Sequence, residues 1–254
     1  LVGSEMCIRD RSKHCYMLES VENQEVWGRY TFLGYDPKLE ITCMNGEMCI
    51  RESGSEEGAK EPVAHPGAKI KEILKEYTSP KVKDLPSFTG GLVGYFSYDY
   101  VKYSEPKLNL DADDQEGFKD VDLMLFDKVI AFDNLRQKIY IIANARTENL
   151  EQEYDRCLAE IEEIVDLIEH GTPAQITPGK ITSEFRPLFS EQEYCAMVEK
   201  AKHYIYEGDI FQVVLSNRLE ADYEGSLFNA YRMLRTINPS PYMFYFSSDD
   251  IEVA

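Results

Sequence analysis

The sequence predicts an α+β fold, a β-rich amino-terminal domain with a few helices followed by the truncated start of a second, α+β domain. Three observations predict it. Asn45-Gly46 separates two β-rich runs, Leu39 to Met44 and Glu47 to Arg51, and Asn-Gly there signals a hairpin because both central turn residues need positive φ. From Asn149 to His170 the apolar residues Leu150, Tyr154, Leu158, Ile161, Val165 and Ile168 recur at helical spacing, and Gly171 supplies the stop. Thr172 to Pro187 is a Pro/Thr/Gly-bearing linker, after which Ser190 and Glu193 form a capping box that opens another helix. The resulting division is a non-native scar at 1–12, an amino-terminal domain at 13–145, a helix and linker at 146–187, and the start of the second domain at 188–254.

The elements follow in order. Leu1 to Arg11 matches no pattern in the rest of the chain and reads as a translated scar to be left out of fold reasoning. Met6-Cys7-Ile8-Arg9 recurs at Met48 to Arg51, a coincidence and not a structural repeat. Tyr30 to Gly34 is aromatic and β-rich, so Trp27 to Arg51 reads as strands, and Glu52 to Gly67 as an exposed acidic loop. Ala68 to Tyr77 is a short helix with Ile70, Ile73, Leu74 and Tyr77 on one face. In Phe88 to Val101 the glycines mark close backbone approach or a bulge, and neither GxGxxG nor GK[ST] is present to make a phosphate loop. Val129 to Phe132 and Lys138 to Ala143 are strands joined around Asp133-Asn134. Beyond the linker, Tyr194, Met197, Val198, Ala201, Tyr204 and Ile205 stripe a helix that ends at Gly208. Ile210 to Leu219 is a strand, Ser226 to Thr236 a helix and Tyr242 to Phe246 a strand, and the stop at Ala254 within an alternating stretch reads as truncation.

Composition narrows the function classes. With 46 acidic against 27 basic side chains the net charge is −19, the opposite of what phosphate neutralisation by a duplex-binding protein requires. An anionic membrane surface is disfavoured for the same reason, and no apolar run approaches the ~18 residues that span a bilayer. The six cysteines form no CxxC pair and the four histidines no HxxxH, so no zinc site is expected and the thiols fit a cytoplasmic protein. Asp111, Asp113 and Asp114 lack the glycine and the bidentate glutamate of an EF-hand. No nucleophile–base signature is present, and no catalytic residue is assigned.

Five segments occur in a fixed order: Leu18-Glu19-Ser20, Trp27-Gly28-Arg29-Tyr30, Phe88 to Asp99, Glu207 to Val214, and Asn238-Pro239-Ser240-Pro241-Tyr242-Met243. Together, from about residue 14 to Ala254, they resemble the large subunits (component I) of the anthranilate synthases, within the chorismate-using enzymes. The resemblance implies a lyase of tryptophan biosynthesis that converts chorismate and ammonia to anthranilate and pyruvate with Mg²⁺. The ammonia comes from glutamine through a separate amidotransferase subunit, component II. It also implies that this chain is the amino-terminal half, that the chorismate and Mg²⁺ residues lie in the other half, and that Gln212 is structural. The alternatives are aminodeoxychorismate synthase component I, whose turn departs from NPSPYM, and a non-enzymatic amino-acid-binding regulatory module.

The part of that function expected here is feedback inhibition by tryptophan. By resemblance the effector residues are Ser20, Pro241, Tyr242 and Met243, with Glu19 and Arg29 as further candidates. The residue types suit the ligand. A hydroxyl or carboxylate meets the charged end of an amino acid, a tyrosine ring and a thioether form a polarisable wall for indole, and two prolines stiffen the turn. Ser20 is expected in the first domain and Pro241 to Met243 in the second.

Overall fold

Strand β1, Cys15–Glu19, carries the central pairing of the first sheet, and its alternation sets two different faces. In this computed structural model, which describes residues 12–20, 28–105, 107, 108, 114, 116–172 and 178–254, residues 1–11 of the expected scar, Trp27, Asp111 and Asp113 lie outside the described residues. β1 pairs antiparallel with β2, Tyr30–Tyr35, on one side and with β14, Met243–Ser247, on the other. The sheet continues through β8 (Lys128–Asp133) to β9 (Lys138–Ala143) and closes at its other edge with β15 (Glu252–Val253).

The second sheet is built on the expected hairpin. β3 (Leu39–Met44) turns through Asn45 (φ 49°) and Gly46 (φ 80°) into β4, Glu47–Glu52, so both turn residues take the left-handed conformation that the Asn-Gly pair permits. β5 (Ala59–Pro62) adds to β4 from inside the stretch expected to be a loop. Its sequence, Ala-Lys-Glu-Pro, has no apolar alternation because it is an edge strand held by backbone bonds, with Lys60 exposed and Glu61 half-buried in an ion pair with Lys69. β6 (Gly91–Phe96) and β7 (Val121–Phe126) complete the order β5-β4-β3-β7-β6, and a 3₁₀ helix, Tyr98–Tyr103, follows β6. β7 was not expected as a strand. It is buried at every position, so its near-continuous apolar run shows no alternation to read.

The two sheets pack face to face. Tyr16 of β1 and Phe246 of β14 meet Met124 and Phe126 of β7, with the Tyr16 and Phe126 ring centroids 4.7 Å apart. On the far face of the second sheet, Ile41, Cys43, Met48, Val121 and Leu123 bury Ile70 of helix α1, Pro66–Glu76, which starts with proline at its first position. Helix α2, Leu150–His170, lies along β9. It buries Cys157, Ile164 and Leu167, whereas Leu150, Tyr154, Leu158 and Val165 of the expected stripe are exposed. The apolar stripe is wider than the contact, and the position of β9 selects which edge of it is covered.

By contacts the chain divides into residues 1–175 with 231–254, and residues 176–230. The segment 231–254 belongs with the first unit because β14 pairs along the whole of β1. Within 176–230, β10 (Lys180–Ile181) pairs with β13 (Tyr223–Glu224), and β11 (Arg186–Pro187) with β12 (Leu219–Glu220). Helix α3, Glu191–Glu207, opens on the expected capping box, with the Ser190 amide donating to Glu193 Oε2 at 2.9 Å, and ends at Gly208 with φ 82°. The expected strand Ile210 to Leu219 forms only at its last residue. Among the described residues no strand ladder includes 210–218, where Leu188 donates its amide to the Arg218 carbonyl at 2.8 Å and Phe211 is 93% exposed, so apolar sequence without a ladder partner does not make a strand.

Candidate functional site

The β1–β14 ladder brings together the first and last of the ordered segments. Glu19 pairs with Met243 at the end of the ladder, and Ser20 and Tyr242 are the residues just beyond that pair on the two segments. Alternation then sorts the candidates onto two faces. Leu18 pairs with Phe244 on the face toward the second sheet, and Ser20 and Tyr242 continue that face. Glu19 and Met243 point to the other face, where Met243 is 6% exposed and buried in the core. Met243 is therefore packing rather than wall, and the exposed aromatic surface at this end comes from Tyr242 (74% exposed) and Phe244 (44%).

Glu19 is buried, and its carboxylate is held from one helix. Helix α4, Phe228–Ile237, reaches it with two side chains one turn apart. The Tyr231 hydroxyl donates to Glu19 Oε1 at 2.5 Å, and Arg235 Nη2 lies 3.0 Å from Oε2. This carboxylate is occupied by its own chain. Arg29 is occupied as well: its guanidinium donates from Nη2 to Asp133 Oδ2 at 2.8 Å and lies over the Tyr30 ring.

Leu18 and Phe244 form one side of a cavity of about 970 Å³. Tyr95, Tyr98 and Phe118 supply the facing aromatic walls, and Lys102 with Asp120 the charged edge. The buried Tyr16 hydroxyl and Ser97 Oγ, both of residues lining this space, have no hydrogen-bond partner among the described residues. Burial pushes the Tyr16 phenol up, so it stays protonated and able to donate. Asp120 anchors the rim. It takes hydrogen bonds from the Tyr103 hydroxyl at 2.7 Å and the Asn45 amide at 2.8 Å, and an ion pair from Lys102 at 2.7 Å. Burial alone would raise its pKa, but Lys102, Tyr103 and the Asn45 amide together outweigh it and hold the carboxyl below its ordinary value.

One group of metal-capable side chains occurs among the described residues, His14, Glu40 and Asp249. It does not fit Mg²⁺. An imidazole lies among the carboxylates, and Arg51 hydrogen-bonds both of them, so a guanidinium already holds the oxygens a cation would need.

Residues 13–254 match the chorismate binding enzyme family. The chain belongs to that family. Among similar proteins, anthranilate synthase component 1 of Acetivibrio thermocellus is 38% identical over 244 residues, covering 93% of this chain and 49% of that protein. The component 1 of Aquifex aeolicus is 37% identical over 252 residues, covering 97% and 50%. The crystal structure of anthranilate synthase component I from Streptococcus pneumoniae TIGR4 superposes with a TM-score of 0.63 at 25% identity, covering 86% of this chain and 47% of that one. The chain thus spans about half the length of the curated relatives it matches.

Of the residues at this end of the ladder, the sequence singled out Ser20 and Tyr242 as candidates and did not single out Leu18, Phe244, Tyr231 and Arg235. Leu18 and Phe244 were legible, since each flanks a motif residue and strand alternation puts it beside the next one on the same face. Tyr231 and Arg235 were not, because only the fold brings α4 to Glu19.

Proposed function

We propose that this chain is part of the large subunit of an anthranilate synthase, and that its own contribution is a binding site for L-tryptophan at the β1–β14 junction. The whole enzyme would convert chorismate and ammonia to anthranilate and pyruvate in the cytoplasm, a lyase reaction. An amidotransferase subunit would release the ammonia from glutamine. Mg²⁺ and the catalytic residues would belong to the remaining half of the relatives' length, and turnover by this chain alone is not expected. Support for the activity comes from the family match and from the names of its relatives.

The observation that carries the effector site is the β1–β14 register, which ends at Glu19 and Met243 and so brings Ser20 and Tyr242, the residues just beyond that pair, to the end of a ladder whose Leu18 and Phe244 line an aromatic-walled cavity. In this arrangement the Ser20 hydroxyl meets the charged end of the amino acid. The indole lies against Tyr242, Phe244 and Leu18, where aromatic and aliphatic surface suits a large planar ring. Pro239 and Pro241 limit the turn's freedom before the ligand arrives, which lowers the ordering cost of binding. Bound tryptophan then favours whichever conformation fixes the end of β1 and the 238–242 turn, and it inhibits by its differential affinity for that conformation.

Titration calorimetry on the purified protein tests this. L-Tryptophan is expected to bind saturably at one site, and L-phenylalanine, with the smaller ring, more weakly. No binding of L-tryptophan, or equal binding of both, would remove the assignment.

A further inference from the structure

We infer that Tyr231 and Arg235 are positioning residues of the amino-acid site, acting through Glu19. The inference rests on the tryptophan-binding reading above and adds to it the device that sets the site's geometry.

Glu19 is an expensive residue to bury at the end of a strand. A carboxylate taken out of water is offset only if its oxygens are met, and an apolar side chain there would pack without that demand. Both partners come from α4: Oε1 accepts a hydrogen bond from Tyr231 at 2.5 Å, and Oε2 has the Arg235 charge at 3.0 Å as an ion pair without hydrogen-bond geometry. Tyr231 is itself fully buried, its ring centroid 5.9 Å from that of Tyr245 on β14. The helix is therefore fixed over the face formed by Glu19, Met243 and Tyr245, and the polar contacts give it a register along that face that apolar packing would leave loose.

The same helix leads into the turn that carries the site. The Asn238 amide donates to the Leu234 carbonyl at 2.9 Å, the Tyr242 amide to Ser240 Oγ at 3.3 Å, and the next residue, Met243, pairs with Glu19. Residues 231–243 thus form a loop that begins and ends on one residue: α4 grips the side chain of Glu19, and β14 pairs with its backbone. Sliding α4 along the sheet would carry the turn with it and move Tyr242 relative to Ser20. Tyr231 and Arg235 touch no ligand in this scheme. They set the distance between two groups that do.

The experiment compares L-tryptophan affinity by calorimetry with the thermal unfolding midpoint for the wild type, Tyr231→Phe, Arg235→Gln and Arg235→Lys, at a temperature where circular dichroism shows each to be folded. A hydrogen bond to a charged group corresponds to about a tenfold change or more in an equilibrium constant. Tyr231→Phe and Arg235→Gln are each expected to weaken tryptophan binding by about that factor, and Arg235→Lys, which keeps the charge, to recover most of it. Should Arg235→Gln not fold, Glu19→Gln replaces it and is expected to bind more weakly than the wild type. Lower midpoints with wild-type affinity would overturn the inference, because they would make the contacts structural only. A wild type that does not bind tryptophan would overturn the site itself, so the two failures are distinguishable.

Discussion

Arg29 and Asp133 close the end of the β2–β8 pair. Asp133 sits opposite Tyr30 in the ladder, its side chain is inaccessible to solvent, and Arg29 reaches both of its oxygens through Nε at 3.2 Å. Asp133 Oδ1 also accepts from the Arg136 amide at 3.0 Å, which ties down the β8–β9 turn. Hydrogen bonds from Arg29 hold the Asp133 carboxyl below the ordinary aspartate value of 3.8. A depressed folded-state pKa contributes stability that is present above the unfolded value and lost as pH falls through the folded one. Arg29→Ala is therefore expected to lower the thermal midpoint at pH 7 and to converge with the wild type well below pH 3.8. Because the guanidinium is engaged by Asp133, tryptophan affinity should stay within about twofold of wild type, a change of under ~0.5 kcal/mol. A large loss of affinity with an unchanged midpoint would put Arg29 back in the effector site.

Gly94 carries the close approach that the glycines of the Phe88 to Val101 segment announce. It has φ +154°, and a Cβ there would lie 2.0 Å from the Asp122 carbonyl oxygen on β7. The clash is with the backbone of the neighbouring strand, which no rotamer relieves. Gly94→Ala should therefore cost at least the ~1–3 kcal/mol typical of overpacking, read as a lower urea midpoint with little change in slope. An unchanged midpoint would mean that β6 can part from β7 at this position without penalty.

What the sequence made legible was local chemistry. The Asn45-Gly46 turn, the Ser190–Glu193 box and the helix stops at Gly171 and Gly208 depend on a few adjacent residues, and each formed where it was read, whereas the expected 172–187 linker carries two short strands. What it hid depends on partners remote in the chain. β7 is buried on both faces and has no period, β5 exists because β4 offers an edge, and 210–218 stays irregular because it has no ladder partner among the described residues. The site divides in the same way. Ser20 and Tyr242 stood out through their motifs, whereas the roles of Glu19 and Met243 followed from the face on which the β1–β14 register put them.

Asp122 gives a pH dependence of opposite sign to that of Asp133. It is buried on β7 facing the first sheet, accepts from the Ser248 hydroxyl at 3.0 Å, and has Lys119 at 3.6 Å. Burial pushes its carboxyl up, and the Lys119 charge and the Ser248 hydrogen bond do not fully compensate. A raised folded-state pKa contributes stability that is present below the unfolded value and lost as pH rises through the folded one. Asp122→Asn removes the charge and keeps an acceptor for Ser248. The midpoint of the variant relative to wild type is expected to rise between pH 4 and pH 7, by roughly 1 kcal/mol or less in stability. A variant that loses ground over that range would mean that the Lys119 pair outweighs desolvation.

Ser20 is the sharpest test of the effector reading, because its change is small and it directly follows the last paired residue of β1. Ser20→Ala leaves the Glu19–Met243 pair and the α4 contacts in place, so the end of β1 keeps its course. A hydroxyl bonded to a charged ligand group contributes about 1.5–3 kcal/mol, which corresponds to at least a tenfold loss of tryptophan affinity. The loss should be specific to ligands that carry the charged end. Indole, which has only the ring, should bind the variant and the wild type equally, since Tyr242, Phe244 and Leu18 are untouched. If both ligands weakened together, Ser20 would be shaping the cavity rather than meeting the amino acid. If neither weakened, the charged end would lie elsewhere, with the Tyr16 hydroxyl and Ser97 Oγ as the next groups to substitute.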